Sequence, residues 1–384
     1  MKIIRFTVAD SSDTTFGVVI RDRAVPFSVL GDKSKTSFRH LANSRSYLAN
    51  LPDSEREARV ALDWGERHIA DLVEGESFFL HNVRLLEPIE VAALFDFGLT
   101  PRHLENSAET MMKFEKDDPQ TAPLQKAFAT AVLGPKPRPA PGQPEPLSYY
   151  KCNMNSIAGD AVTIPWPAYT SRLGVEPELA VVYGNEKQHV AGFCIFNDVS
   201  ARDVQATEFV VGFCLTKDMA NGNQLGPYLV TADEVGDPYG LGVTVLVDGH
   251  IKYQGSTSEI SHKAEDLFAW LGFITPLKPG SVNGIRDDPQ LYRLRSRRLH
   301  RSRRRDSDHF RATGDAAMPF RRTAGPLVAE SLAGSRAVTE VPPVIPMCLS
   351  LELIRRLEPT PRPRRILRLR VGSSRLCRWR YRES

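Results

Sequence analysis

Two short segments gather acidic side chains at the ends of apolar runs. In FCIFNDVSARDVQ (residues 193–205) the run Phe193–Phe196 stops at Asn197 and Asp198, and Arg202, Asp203 and Gln205 follow at once. In GVEPELAVVYG (174–184), Glu176 and Glu178 stand two apart at the start of another apolar run. Residues i and i+2 of a strand share a face, so these carboxylates project together. A further acid, Asp96, ends the run ALF in VAALFDFGLTPRH. Like charges held together raise one another's pKa unless a cation shares them. Acids at strand ends bordering a buried sheet are what an oxygen-lined cation site needs. Without His or Cys among them, such a set favours Mg2+, Mn2+ or Ca2+ over Zn2+. Taken alone, Glu-x-Glu reads as a solvated strand edge, because acids are mostly exposed. Pro177, with no N–H to give to a ladder, marks an edge or a strand start.

The elements that must position these groups are mostly strands. KIIRFTV, TFGVVIRD and AVPFSVL (within residues 2–30) read as a small sheet. Residues 54–73 have the apolar spacing of a helix. Together they predict a small N-terminal α+β domain over residues 1–88. Thr100 followed by Pro101 signals a helix start and places His103 in the first turn. Residues 133–147 carry six prolines and read as an extended surface loop. From residue 148 strands dominate: SYYKC, DAVTIPW, ELAVVYG, HVAGFCIF, GPYLVTA and GVTVLVDGHIKYQG. The last holds Asp248-Gly249, a hairpin signal, and a helix over 262–274 follows. Strands outnumber helices, with no βαβ alternation and no glycine-rich dinucleotide fingerprint, so the fold class is α+β, mainly β, a mixed β-roll.

The segments DFGLTPRH, EPELAVV, NDVSARDVQ and LGPYLVTADEV occur in an order and spacing that resembles the fumarylacetoacetate hydrolase family, over about residues 90–282. The resemblance implies a catalytic β-roll over residues 89–283 with Asp96, Glu176, Glu178 and Asp198 as ligands of a divalent ion, Mg2+ or else Mn2+ or Ca2+. It assigns His103 as general base and Lys217 as a catalytic cation. Tyr150, Arg202 and Gln205 become substrate contacts, and Phe209 stands where eukaryotic members carry a tyrosine. The implied reaction is hydrolysis of a carbon–carbon bond in a β-diketone such as an acylpyruvate. Isomerisation, decarboxylation or hydration of 2-oxo acids is the alternative on the same fold, and a non-catalytic binding protein is the reading from another class. Family members are usually homodimers through the roll. On the residues alone, His103 equally suits a solvated first-turn histidine, Lys217 a surface lysine, Arg202 a partner of Asp203, and Tyr150 an ordinary strand aromatic.

Composition divides the chain of 384 residues. Residues 1–280 carry 26 Lys and Arg against 36 acids, a net −10, whereas residues 281–384 carry 24 Arg, no Lys and 10 acids, a net +14. The segment 284–384 is thus an Arg- and Pro-rich tail without family pattern; a shifted reading frame in a GC-rich gene would produce such a switch, and a disordered tail is the alternative. Its lack of Lys and scarcity of aromatics argue against nucleic acid as a partner. The opening MKIIRFTVAD lacks an apolar signal region, no stretch has the apolar length of a membrane span, and the five cysteines form no CxxC pair. These features predict a reducing cytoplasm, and the resemblance implies a small-molecule substrate.

Overall fold

The computed structural model describes residues 1–8, 11–98, 123, 139–208, 212–247, 250–286, 292–294, 348–355 and 365–372; His103 and Phe209 lie outside the described residues. All described residues belong to one compact unit, Met1–Leu294 with Ile345–Ser384. The N-terminal third contributes β1 (Lys2–Val8), β2 (Thr15–Ile20), β3 (Arg23–Pro26), β4 (Phe78–Phe79), β5 (Val83–Leu85) and β6 (Ala93–Phe97). The middle contributes β7 (Tyr149–Lys151), β8 (Ile157–Ala158), β9 (Leu173–Val175), β10 (Pro177–Asn185), β11 (Gln188–Asp198), β12 (Ser200–Ala201) and β13 (Asn223–Val230). Then come β14 (Gly242–Val247), β15 (His250–Ser256), β16 (Ser281–Arg286), β17 (Tyr292–Leu294), β18 (Cys348–Arg355) and β19 (Arg365–Gly372).

A large mixed sheet runs β4-β3-β2-β1-β13-β11-β10-β16-β6-β7, with β5 beside β1 and β8 beside β13. Its central strands are apolar on both faces, which is why ELAVVYG reads as a continuous run rather than an alternation. Ala180 and Val182 of β10 join the core that holds Ile3, Tyr47, Cys194, Phe196 and Leu225. Leu179, Val181 and Tyr183 join the opposite core with Phe97, Phe193, Leu267 and Phe268. Each fully buried Leu or Phe in these layers contributes about 1.5–3 kcal/mol.

A second sheet, β12-β9-β17, meets the first at a corner. Two strand lines change sheets there: β9 passes into β10 across Glu176, and β11 passes into β12 across Val199. Strands that switch sheets are the usual way to build such a corner. A third sheet, β15-β14-β19-β18, brings two segments of the Arg-rich tail beside the β14–β15 hairpin, with Gly242 opposite Ile366. The hairpin closes Val247 onto His250.

Two expectations need correction. AVPFSVL is not one strand: β3 ends at Pro26, and Phe27–Ser34 is a helix that buries Phe27 and Leu30. DAVTIPW is not a strand either. Ala161 takes a left-handed φ of 58°, and Pro165 and Pro167 have no N–H for a ladder. Side chains take up the carbonyls instead, Gln224 Nε2 donating to Val162 O at 2.7 Å and Asn221 Nδ2 to Thr163 O at 2.8 Å. The helix expected over 262–274 begins at Ala264, after the Asp266 carboxylate has accepted the Lys263 N–H at 2.8 Å.

The turn in place of that strand carries Asp160 against Gly226 of β13, where a Cβ would lie 3.5 Å from the Asp160 Cβ. Burial pushes the Asp160 carboxyl up to about 7, opposed by the hydrogen bond from the Ala161 backbone. Between the ordinary carboxylate value and about 7, the folded protein therefore holds a proton that the unfolded chain has lost, and stability falls as pH rises through that window. Asp160→Asn removes this dependence. Thermal denaturation at pH 5 and pH 8 is expected to show the variant gaining on the parent at pH 8; an equal difference at both values would contradict it.

Candidate metal centre

Four adjacent strands bring three of the acids to one face of the sheet. Glu178 alternates with Ala180 on β10, Asp198 with Phe196 on β11, and Asp96 with Leu94 on β6, all on the face of the first core. The strand between β10 and β6 is β16, and Gly284 is the residue it sets opposite both Asp96 and Ala180. A Cβ on Gly284 would overlap the Glu178 Oε2 and lie 2.9 Å from Phe196 Cε1. The missing side chain is what makes room for a carboxylate here. Glu176 comes from the corner itself, between β9 and β10, rather than from the strand shared with Glu178. The solvated-edge reading is thereby overturned: Pro177 starts an inner strand, flanked by β11 and β16, and both glutamates are buried.

Asp96, Glu176, Glu178 and Asp198 each place a carboxylate oxygen within 4.8 Å of the others. Lys217, expected at the surface on composition alone, is 2 % exposed. Its ammonium pairs with Asp96 Oδ2 at 3.2 Å, with Glu176 Oε2 at 3.0 Å and with Asp198 Oδ2. Arg202 pairs through NH2 with Glu176 Oε1 and donates through NH1 to Gln205 Oε1 at 3.0 Å. Asp203 is occupied elsewhere, accepting from Thr170 Oγ1 and, at 2.8 Å, from the Ser171 N–H. Arg202 therefore serves the acid cluster and not its sequence neighbour.

Tyr150 faces the same group. β7 sets it opposite Asp96, its ring centroid lies 5.8 Å from Lys217 Nζ, and its hydroxyl donates to Asp218. Burial first, then that bond, raises the phenol above its ordinary value. Sequence reasoning passed over Asp218, Ser200 and Gly284. Ser200 Oγ donates to Glu176 Oε2 at 3.3 Å. Ser200 lies inside NDVSARDVQ and was reachable, whereas Gly284 gives no signal until the strand order is known.

The donor set fits a hard cation. Four carboxylates against the ammonium and guanidinium just described leave two formal negative charges, which one divalent ion balances. Oxygens within 4.8 Å of one another suit a shared ion at about 2.0–2.6 Å from each.

Residues 121–284 match the family model described as "Fumarylacetoacetate (FAA) hydrolase C-terminal". The chain carries a domain of the fumarylacetoacetate hydrolase family over those residues. It is 35 % identical over 156 residues to the human protein named "Oxaloacetate tautomerase FAHD2A, mitochondrial", covering 38 % of this chain and 49 % of that one. A Xenopus laevis protein named "Oxaloacetate tautomerase fahd2, mitochondrial" is 33 % identical over 147 residues, covering 36 % and 46 %. The chain thus spans about half the length of these curated relatives. In fold it is similar to maleylpyruvate hydrolase from Sphingobium sp. SYK-6, solved with manganese(II) and pyruvate. That match has a TM-score of 0.50 and 15 % identity, over 77 % of this chain and 91 % of the other. Among the described residues no helix is long and apolar enough to cross a membrane.

Two substitutions test the arrangement. Gly284→Ala forces the Glu178 carboxylate and the Phe196 ring apart and is expected to cost about 1–3 kcal/mol in urea unfolding. Arg202→Met breaks a buried ion pair and is expected to cost about 3–5 kcal/mol. A loss near zero for either would show that the site does not depend on that contact.

Proposed function

We propose that this chain is a divalent-metal-dependent enzyme of small 2-oxo acids, catalysing keto–enol tautomerisation of an oxaloacetate-like dicarboxylate. The observation that carries this reading is the Lys217 ammonium set among four buried carboxylates. The two relatives at 33–35 % identity, named as oxaloacetate tautomerases, favour this reaction over others of the same enolate type.

In the proposal Asp96, Glu176, Glu178 and Asp198 hold the ion. When bound, it would polarise the oxygens of the 2-oxo acid and lower the energy of the enolate. Lys217 carries a transferable proton at Nζ. It protonates C3 of the enol and regains the proton that the 2-hydroxyl gives up, so atoms and charge balance. Arg202, tied to Glu176 and Gln205, keeps that glutamate turned inward, while Arg202, Gln205 and Tyr150 surround the substrate carboxylates. Hydrolysis of an acylpyruvate-like β-diketone is the second reading. It needs a base to take a proton from water, a role that the family resemblance of the segment from Asp96 to His103 would give to His103. The proposal extends to a reducing cytoplasm, where the thiols of Cys152, Cys194 and Cys214 stay free, and to a homodimer through the roll.

The test follows the ultraviolet absorbance of enol-oxaloacetate with purified protein and Mg2+ or Mn2+. Metal-dependent decay is expected, lowered by about 100-fold or more in Lys217→Met and abolished in Glu178→Ala. Decay no faster than without protein would sink the tautomerase reading. Release of pyruvate from an acylpyruvate, lost in His103→Ala, would move the assignment to hydrolysis.

A further inference from the structure

The sheet corner raises a problem that the acids do not solve. Glu176 leaves the pairing of β9 with β12, whose register sets Gly174 opposite Ser200. It precedes the pairing of β10 with β11, which begins with Pro177 opposite Asn197. Its carbonyl is satisfied by the Asp198 N–H at 3.0 Å. Its own N–H is met by a side chain, donating to Asn197 Oδ1 at 3.3 Å. Asn197 Nδ2 donates in turn to Gln224 Oε1 at 3.3 Å, and Gln224 Nε2 donates to Val162 O at 2.7 Å. Asn197 is fully buried and Gln224 nearly so.

We infer that Asn197 and Gln224 form an amide relay that positions Glu176 for ion binding. This rests on the metal-centre reading above. Neither amide is a catalytic residue; both act through the main chain of Glu176. The choice of side chain follows from the two ends of the relay. At position 197 one atom must accept the Glu176 N–H while its neighbour donates to Gln224, which an amide does and a carboxylate cannot. An aspartate would also set another negative charge beside four. Glu176 is the acid whose placement matters most, since its two oxygens reach Arg202, Lys217 and Ser200 at once. A small change in its main-chain direction misplaces all three contacts. Partners of this kind behind the ligands of a metal typically hold about 10–100-fold in affinity.

The experiment measures Mn2+ affinity of the full chain by electron paramagnetic resonance of free Mn2+, together with the bound-ion spectrum and thermal stability. The variants are Asn197→Ala and Gln224→Ala, with Asn283→Ala as control. Asn283 is a buried amide on β16 that donates to Val181 O at 3.4 Å. Asn197→Ala is expected to weaken Mn2+ binding by about 10–100-fold and to change the bound-ion spectrum. Gln224→Ala shifts it the same way by less, and the double variant is no worse than Asn197→Ala alone. Asn283→Ala loses thermal stability and keeps its Mn2+ affinity. Should Asn197→Ala fail to fold, Gln224→Ala carries the decision, since it leaves the bond to Glu176 in place and only unties the far end. Mn2+ affinity within about twofold of the parent in the folded variants would overturn the relay while leaving the metal centre standing. A parent chain that binds no Mn2+ would overturn both.

Discussion

Taking four carboxylates out of water beside one another is the constraint on which the rest of the structure depends. Desolvating a single ion costs several kcal/mol, and like charges add repulsion. The protein meets half of the formal charge with its own groups. Lys217 and Arg202, each almost wholly buried, are spent on these acids. The remainder matches one divalent ion. A buried lysine with no stabilising role would itself be costly, so cation and anions account for one another.

The same constraint explains why the site lies at a corner. Inside a two-faced sheet every side-chain position faces a packed layer, and an acid there would displace core. At the line where β9 passes into β10 and β11 into β12, strand ends converge. Each strand then contributes one acid with little loss of core: Leu94 precedes Asp96, Phe196 precedes Asp198, and Ala180 follows Glu178. The main-chain groups left over at a sheet change still require partners, and the amides of Asn197 and Gln224 supply them.

Much of this was legible in the sequence, for a definite reason. Asp198 and Glu178 adjoin long apolar runs, and an abrupt change from apolar to charged residues survives whatever the tertiary packing does. Glu176 was read correctly as a companion of Glu178 and wrongly as its neighbour on one strand, because the period-two rule does not register a change of sheet at Pro177. The burial of Lys217 was hidden for the opposite reason: its helix, Cys214–Lys217, is too short to show an apolar face. DAVTIPW misled because its β-rich composition says nothing of Ala161 taking a left-handed turn. In each miss, long-range packing overrode a local preference.

The change of composition near residue 281 has a structural consequence of its own. It falls within β16, not in a linker, and Val282 and Ile285 of that strand are fully buried. β16 lies between β10 and β6, so it fixes the spacing of Glu178 from Asp96. Gly284, on the Arg-rich side of the composition change, therefore determines whether the acids meet. A bulkier residue than glycine at position 284 would separate them even with every acid in place, because the Glu178 carboxylate occupies the space its side chain would take. The meeting of the acids thus turns on a residue that carries neither charge nor side chain.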